Sequence, residues 1–454
     1  MALRSNLRRF LILAGAIHIV LTITIFLVGR FQLLPTIFDE SGNGLTFALD
    51  GTTYQRVASK LVHEWQLAGF NGWLDARVPF QSRLHSILFA TVGRLVGHNI
   101  LAVEPLNLFF YLGILSCVYF LGKEIFNHQA GLLAATIVAL WPSFLLHSTQ
   151  LMRDSMAIFC FLALMLVLTL LLTREFTWRR GILLGGGAAI VVTLFWITRG
   201  NMWNVVLAAI AIAIVMLFQR MVGQKRFMTG NAIVMLLILT AALLVPSRLQ
   251  SSTLPGVRPP ATPLAIPSAS QPAPTEGVWT RVVKQIGDRR AGFRFFTSKV
   301  SNIDPHVRFN SFGDIVRFLP RAAVIGFLAP FPRMWLETGK FGRAGRLLSG
   351  LETVVMYFLY IAVAFCLWQE RRNLRMWFLF LVATIGIVGL GIVVVNAGAL
   401  YRIRYVFWMM LIVIAAHGIL SYLTALHKKS NARVATEGHP YKRATNTKVT
   451  AEDL

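Results

Sequence analysis

The stretch LILAGAIHIVLTITIFLVG, residues 11–29, contains no Asp, Glu, Lys or Arg. About 20 such residues are enough to cross the hydrocarbon core of a bilayer as a helix. The preceding residues, 1–10, are basic, and the run is too long for the apolar part of a signal peptide and lacks a small-residue cleavage site after it. We therefore expect a first membrane-spanning helix whose N-terminus lies in the cytoplasm.

Apolar runs of this kind recur along the whole chain. Of the 454 residues, 56% are hydrophobic and only 14% are charged, a balance that soluble domains of this size do not have. We predict an all-α polytopic membrane protein with about 10 transmembrane helices, within a range of roughly 8–12. The predicted spans are residues 10–29, 101–122, 129–148, 155–173, 181–198, 202–219, 227–246, 349–368, 376–395 and 405–426.

The charges of the short loops predict the orientation. Four of these loops are short and basic: residues 123–129, 174–180, 220–226 and 370–375. The positive-inside rule assigns them, with both chain termini, to the cytoplasmic side. Two shorter apolar pieces, 84–97 and 318–335, must then not cross, and we expect them to form interfacial or re-entrant helices on the outer face.

This topology divides the chain into four parts. They are an N-terminal transmembrane module (1–246), an outer-face segment (247–348), C-terminal transmembrane helices (349–426) and a disordered cytoplasmic tail (427–454). The first outer loop spans 30–100. The outer-face segment opens with a Pro-rich linker, 254–277, and continues with an amphipathic helix over 281–300 that we expect to lie on anionic headgroups.

The formal net charge is +25, which could indicate a nucleic-acid partner or a membrane surface. In a membrane protein, basic residues usually face loops and lipid headgroups, so we expect membrane lipids and no nucleic acid as partners. The long outer segments are also basic, which favours a polyanionic partner such as a lipid-linked phosphate. Cys117, Cys160 and Cys366 all lie in apolar runs and are interpreted as small buried hydrophobic residues.

Three carboxylates lie in the first outer loop: Asp39, Glu40 and Asp50. Asp50 precedes Tyr54, Ala58 and Leu61 at helical spacing, so it lies at the start of an amphipathic helix. An acid at this position could act chemically at the membrane surface or could simply cap the helix. For Asp39 and Glu40 the simpler alternative is a solvated loop.

The other candidates lie at predicted outer tips between spanning helices, where charges are costly and usually functional. Arg153 and Asp154 form one tip and Arg199 lies at the next. Arg402 and Arg404 lie between the last two spans, where the positive-inside rule disfavours arginine, and this favours phosphate binding. The scattered histidines, including His147, are interpreted as interfacial side chains.

Several stretches together resemble the GT-C class of integral-membrane glycosyltransferases, in the bacterial branch related to protein mannosyltransferases and lipid A aminoarabinose transferases. They are DGTTYQRVA (50–58), WP (141–142) before RDS (153–155), APFP (329–332) with Glu352, and NAGALYRIRY (396–405). The resemblance spans most of residues 1–426 and depends more on order and topological position than on any one motif. It implies a GT-C-like fold in the bacterial inner membrane.

The resemblance also implies roles for individual residues. Asp50 would orient or deprotonate the acceptor, and Asp154 would organise the site, with a divalent cation as a possible cofactor. The donor would be a sugar on a polyprenyl phosphate, and the acceptor a glycan, a lipid or a protein. The substrate-binding candidates are Tyr54, Arg153, Arg199, Arg402 and Arg404. Protein mannosyltransferases carry an adjacent Asp-Glu pair, so Asp39 and Glu40 remain an alternative catalytic pair.

Two other functions compete with glycosyl transfer from a monophosphate donor. A polysaccharide polymerase or ligase would use diphosphate-linked glycans and depend more on arginines than on a carboxylate. A transporter would show an internal repeat with broken helices near the bilayer midplane, and the sequence shows no such repeat. The polar residues cluster instead at the predicted outer surface.

Overall fold

The computed structural model describes residues 2–38, 44–76, 78–251, 277–295, 301–336 and 342–437. Within these residues the secondary structure is helical, apart from two isolated bridges, Phe38–Leu45 and Asn302–Asn396. The α-helices are α1 (Ala2–Arg30), α2 (Leu49–Asp75), α3 (Phe80–Thr91), α4 (Gly93–Val96), α5 (Ile100–Ile125), α6 (His128–Ala139), α7 (Pro142–Ser148), α8 (Asp154–Thr173), α9 (Trp178–Arg199), α10 (Trp203–Gln224), α11 (Thr229–Ser251), α12 (Val278–Phe295), α13 (Phe312–Leu328), α14 (Pro332–Trp335), α15 (Gly342–Gln369), α16 (Leu374–Val393), α17 (Ala397–Ile403) and α18 (Tyr405–Glu437). The predicted all-α polytopic class is confirmed.

Eight segments of the described chain are long and apolar enough to cross a membrane, or nine if the bent pair α6–α7 counts as one span. One of them, Trp178–Gln224, is 47 residues long and comprises α9 and α10 with a break after Arg199. Both of its ends lie near Arg174. Arg220, in α10, donates to the Arg174 carbonyl at 3.1 Å, and α9 begins four residues after Arg174. The two helices therefore run in opposite directions and count separately, which gives nine candidate crossings among the described residues, or ten, the predicted number, if α6–α7 counts as one span.

The loops that were predicted to share one side do meet at one end of the bundle. Arg174 pairs with Glu124 at 2.6 Å, and Arg375 donates to the Glu124 carbonyl at 3.2 Å. We call this end the basic-loop face. Asp154 lies at the opposite end, because α8 runs 20 residues from Asp154 to Thr173, next to Arg174. We call that opposite end the site face.

The predicted span 129–148 is not one straight helix. It bends by 70° between α6 and α7. Pro142 explains the break, because proline has no N–H to continue a helix but is well suited to the first position of a new one. As a result α7 is a separate short helix of seven residues, and Ser143 and His147 lie on it.

The piece 318–335, expected to be interfacial or re-entrant, forms most of α13 followed by α14. α13 packs antiparallel to α16, with Gly326 beside Ile387 and Gly391 beside Ala322. Since α16 runs toward the site face, α13 enters from that face and reaches the level of Ile387, about 9 Å below the end of α16. This geometry agrees with a re-entrant segment. The other piece, 84–97, forms the end of α3 and α4.

Two expectations differ from the structure. The apolar face of α12 packs on protein rather than on headgroups: Val283 is buried with Phe309 and Ile315, and the Arg290 guanidinium donates to the carbonyl of Ile392 at 2.6 Å. The tail expected to be disordered from 427 is helical to Glu437, because α18 continues past the predicted span. Residues 438–454, and the Pro-rich linker apart from Gly277, lie outside the described residues.

Candidate active site

Asp50 lies in the first turn of α2 rather than at its N-cap. The helix starts at Leu49, its cap position is Ala48, and no side-chain hydrogen bond caps it. The Asp50 carboxylate instead accepts a hydrogen bond from Nη2 of Arg402 at 2.9 Å. The capping role that the sequence left open for Asp50 is therefore not observed, and 52% of its side chain is exposed.

Asp154 is the first residue of α8, and its carboxylate has two arginine partners. Oδ1 accepts a short hydrogen bond from Nη2 of Arg199, and Oδ2 lies 3.3 Å from Nε of Arg402. Only 8% of the Asp154 side chain and 6% of the Arg199 side chain are exposed. An unpaired charge at this depth would be costly, so each group depends on the other to remain charged there.

Together these residues form a row of alternating charges that we call the acid–arginine cluster: Asp50, Arg402, Asp154 and Arg199. Its members come from α2, α17, α8 and α9, so four separate parts of the chain meet at the site face. Burial increases along the row from the half-exposed Asp50 to Arg199. A small pocket with an otherwise apolar lining reaches Asp154, Arg199 and Arg402 from within the bundle.

Tyr54 and Arg153 lie beside this cluster. Arg153 donates from Nη1 to the Thr198 carbonyl at 3.5 Å, at the end of the helix that carries Arg199. The charges of Arg153 and the side chain of Tyr54 both act electrostatically on Arg199. Three arginines and two carboxylates therefore share this region, which leaves one net positive charge when all five are ionised.

Arg404 lies apart from the cluster, although it is only two residues from Arg402. Its guanidinium is fully buried and donates to the carbonyl oxygens of Gly326 and Ala329 at the end of α13. It also lies 3.9 Å from the centre of the Trp408 ring. The described partners of Arg404 are thus groups of the protein itself. The structure gives no support to the substrate-binding role that the sequence suggested for it.

The alternative catalytic pair, Asp39 and Glu40, lies outside the described residues. The described chain on either side is held in place. Phe38 and Leu45 form a bridge, and the Leu45 amide donates to Oε1 of Gln150 at 3.0 Å. Gln150 belongs to the loop that leads to Asp154, so this contact joins the first outer loop to the loop of the second acid.

Glu352 is a buried carboxylate that organises a second polar group. In the sequence it was noted only as part of a motif. It accepts hydrogen bonds from the Ser143 amide at 2.7 Å, from Ser143 Oγ at 2.5 Å and from the Tyr401 hydroxyl. The Tyr405 hydroxyl donates to Ser143 Oγ at 2.7 Å. Burial raises the pKa of Tyr401 well above its usual range, and the neighbouring Tyr405 and Glu352 side chains raise it further. The Tyr401 hydroxyl therefore keeps its proton and remains a hydrogen-bond donor.

Another polar group that sequence reasoning missed joins α1, α5 and α7. Nδ1 of His18 lies 2.8 Å from Oε1 of Glu104, and Nε2 lies 3.0 Å from Ser148 Oγ. Thr22 donates to Oε2 of Glu104 at 2.8 Å. A signal existed for this group and for Glu352, because His18, Glu104 and Glu352 are ionisable residues inside predicted spans, where such residues are rare.

A divalent cation was considered from the resemblance. Among the described residues no group of three or more His, Cys, Asp and Glu side chains is arranged to hold a metal ion. Both oxygens of Asp154 face arginines, and Asp50 also has an arginine partner. The described residues around the cluster therefore do not fit a metal site.

Residues 109–258 match the family model described as oligosaccharyl transferase STT3, N-terminal. This region is similar to a GT-C membrane glycosyltransferase family. The match supports glycosyl transfer in general and covers about a third of the chain. It includes Asp154 and Arg199 but neither Asp50 nor Arg402. No curated protein matches the chain.

Proposed function

We propose that this protein transfers a sugar from a polyprenyl-phosphate donor to an acceptor on the outer face of the bacterial inner membrane. The acceptor would be a hydroxyl group of a cell-envelope glycan, a lipid or a protein. The observation that carries the proposal is the position of Arg402 between Asp50 and Asp154, two acids at the starts of separate helices. An arginine shared by an exposed and a buried acid can bind a phosphate without moving its buried partner.

The donor phosphate competes with Asp50 for Arg402. The Asp50–Arg402 contact is a single hydrogen bond to a half-exposed carboxylate, whereas a phosphate can accept two parallel hydrogen bonds from a guanidinium. Asp154 remains on the buried side of Arg402 and keeps Nε in place. Donor binding therefore frees the Asp50 carboxylate, which then accepts a hydrogen bond from the acceptor hydroxyl.

In the transfer step the acceptor oxygen attacks the anomeric carbon of the sugar. The bond between that carbon and the phosphate oxygen breaks, and the lipid phosphate leaves with the electron pair. Asp50 takes the proton of the acceptor hydroxyl. Arg402, with Arg153 and Arg199 nearby, stabilises the charge that develops on the phosphate, and the net positive charge of the region favours this.

A second candidate is transfer of an oligosaccharide from a diphosphate-linked lipid. The observation that favours it is the match of residues 109–258 to an oligosaccharyl transferase family. A diphosphate brings more negative charge than a monophosphate, and Arg153 could supply a further contact beyond Arg402. The two candidates share the membrane-facing site and differ in the donor.

The test uses the purified protein in liposomes with a panel of undecaprenyl-phosphate hexoses and pentoses that carry a radiolabelled sugar, and a parallel panel of diphosphate-linked sugars. Membranes from the source bacterium supply the acceptor, and transferred and free sugar are both counted. We expect transfer from a monophosphate donor, and a loss of about 100-fold or more in Asp50→Asn. Glu64→Gln is the matched control, because Glu64 lies on the same helix and its one ion pair among the described residues is with Lys60, at 3.7 Å.

Wild-type rates in Asp50→Asn would exclude the proposed role of Asp50. Transfer from diphosphate donors alone would favour the second candidate. If the wild-type protein consumed none of the donors, neither function would stand.

A further inference from the structure

His147 lies in the last turn of α7, between the polar group of Glu352 and the acid–arginine cluster. Its Nδ1 is 2.6 Å from the Ser143 carbonyl oxygen, which can only accept a hydrogen bond. Nδ1 must therefore carry the proton of the neutral ring, and Nε2 is left with a lone pair. The fold thus selects a tautomer whose second nitrogen is an acceptor.

Nε2 has no hydrogen-bond partner among the described residues. It is also not completely enclosed by protein atoms. His147 as a whole residue is only partly buried. A protein acceptor atom that is oriented, unpaired and accessible is available to a ligand.

The surroundings of the ring connect it to the candidate active site. The ring of Phe47 packs against it with centroids 4.4 Å apart, and Phe47 lies three residues before Asp50. On the other side the Tyr405 ring lies 5.6 Å away, with its hydroxyl 3.4 Å from Nδ1. The charge of Arg402 also acts on the imidazole. Phe47 precedes α2, Arg402 belongs to α17 and Tyr405 to α18, and Glu352 of α15 is connected to His147 through its hydrogen bonds with Ser143.

We propose that Nε2 of His147 accepts a hydrogen bond from a hydroxyl group of a bound substrate, either the acceptor hydroxyl or a hydroxyl of the donor sugar. A hydroxyl is the chemistry that fits, because Nε2 in this tautomer cannot donate and a phosphate oxygen cannot donate to it. Arginines thus recognise the phosphate and His147 recognises the uncharged, hydroxyl-bearing part. The inference rests on the proposed function and adds a substrate-contacting residue to it.

Two substitutions separate this role from a structural one. In His147→Asn the amide can keep the contact of Nδ1 with the Ser143 carbonyl but has no atom at the position of Nε2. In His147→Gln the amide oxygen reaches toward the position of Nε2, and the contact with Ser143 is lost. A substrate contact predicts higher activity in the Gln variant, whereas a purely structural role predicts higher activity in the Asn variant.

The measurement uses wild type and both variants in liposomes, with undecaprenyl-phosphate mannose or whichever donor of the panel the wild type uses. We expect His147→Asn to keep wild-type thermal stability but to lose activity about 10- to 100-fold, the effect of removing one hydrogen bond to substrate. We expect His147→Gln to retain activity within about 10-fold of wild type while being the less stable variant.

The two possible hydroxyl groups give different results. If the contact is to the donor sugar, both transfer and slow hydrolysis of the donor by water decrease, and KM for the donor rises. If it is to the acceptor, transfer decreases and hydrolysis does not. Higher activity in His147→Asn than in His147→Gln, or wild-type rates in both, would overturn the inference. Because wild-type transfer is measured in the same experiment, a failure of the proposed function itself would be seen separately.

Discussion

Arg402 and Arg404 show how much a two-residue separation changes the role of the same side chain. Both lie at the end of α17, and successive residues of a helix are rotated by about 100°, so these two point in widely different directions. Arg402 faces Asp50 and Asp154, while Arg404 donates to the carbonyls of Gly326 and Ala329. One arginine is thus available to a substrate, and the other fixes the end of α13 against the helix that carries the first.

Asp50 and Asp154 differ in burial, which leads to a prediction at the residue scale. Asp154→Asn leaves Arg199 buried without a carboxylate, and breaking such a pair costs about 3–5 kcal/mol. Asp50→Asn removes a half-exposed partner of Arg402, worth less than about 1 kcal/mol. We expect Asp154→Asn to lower the thermal unfolding temperature in detergent clearly and Asp50→Asn to leave it nearly unchanged, while both lower activity.

The measurement is thermal unfolding of the purified variants followed by fluorescence, with Glu64→Gln as the control. Equal unfolding temperatures for Asp154→Asn and wild type would contradict the view that the Asp154–Arg199 pair is a stabilising buried pair. In that case Arg199 would have another source of compensation.

At the scale of helices, the close contact of α13 with α16 positions the carbonyl groups at the end of α13 to which Arg404 donates. Gly391 of α16 lies against the carbonyl of Ala322, so that an added Cβ would collide with it. Gly389, two residues earlier, has nothing within 4 Å of an added Cβ. The first glycine is therefore required by packing, and the second is not.

Gly391→Ala should push α13 away from α16 at a cost of about 1–3 kcal/mol, the usual effect of overpacking. Because α13 carries the carbonyls that hold Arg404, we expect the variant to lose activity as well as thermal stability. The matched control is Gly389→Ala, which should be as stable as wild type or more stable by up to about 1 kcal/mol. If the two variants had equal stabilities, the close packing of α13 on α16 would be disproved.

Helix bends and helix ends likewise determine side-chain positions that the local sequence does not predict. The bend at Pro142 separates α7 from α6 and turns Ser143 toward Glu352 and His147 toward Phe47. The predicted span over 129–148 did not include this bend, because an apolar run does not reveal where a helix bends. The acid–arginine cluster likewise depends on the ends of four helices rather than on any one of them.

For the whole molecule, the basic loops gather at one end of the bundle and the candidate site at the other. We propose that the basic-loop face is cytoplasmic, as the positive-inside rule requires. The three native cysteines are buried, so a cysteine introduced on the surface can be labelled selectively. Glu175 lies on the basic-loop face and Asn201 on the site face, and both are exposed.

We expect a membrane-impermeant maleimide to label Asn201→Cys in spheroplasts and to label Glu175→Cys only after the membrane is opened. The unsubstituted protein is the control and should remain unlabelled under both conditions. Labelling with the opposite pattern would place the site on the cytoplasmic side and would rule out the proposed outer-face reaction.

The amino-acid sequence by itself determined the class of the protein and the approximate ends of its spans, and it named both acids and both arginines of the cluster as candidates. Hydrophobic runs of bilayer length have few folded alternatives, and charges at helix ends are rare enough to be noticed. Only the tertiary structure decided which of these charges meet, and it separated Arg404 from the cluster. It also placed Nδ1 of His147 against the Ser143 carbonyl and showed the partners of Glu352. These depend on helix rotation, bends and packing between distant parts of the chain, which no local pattern specifies.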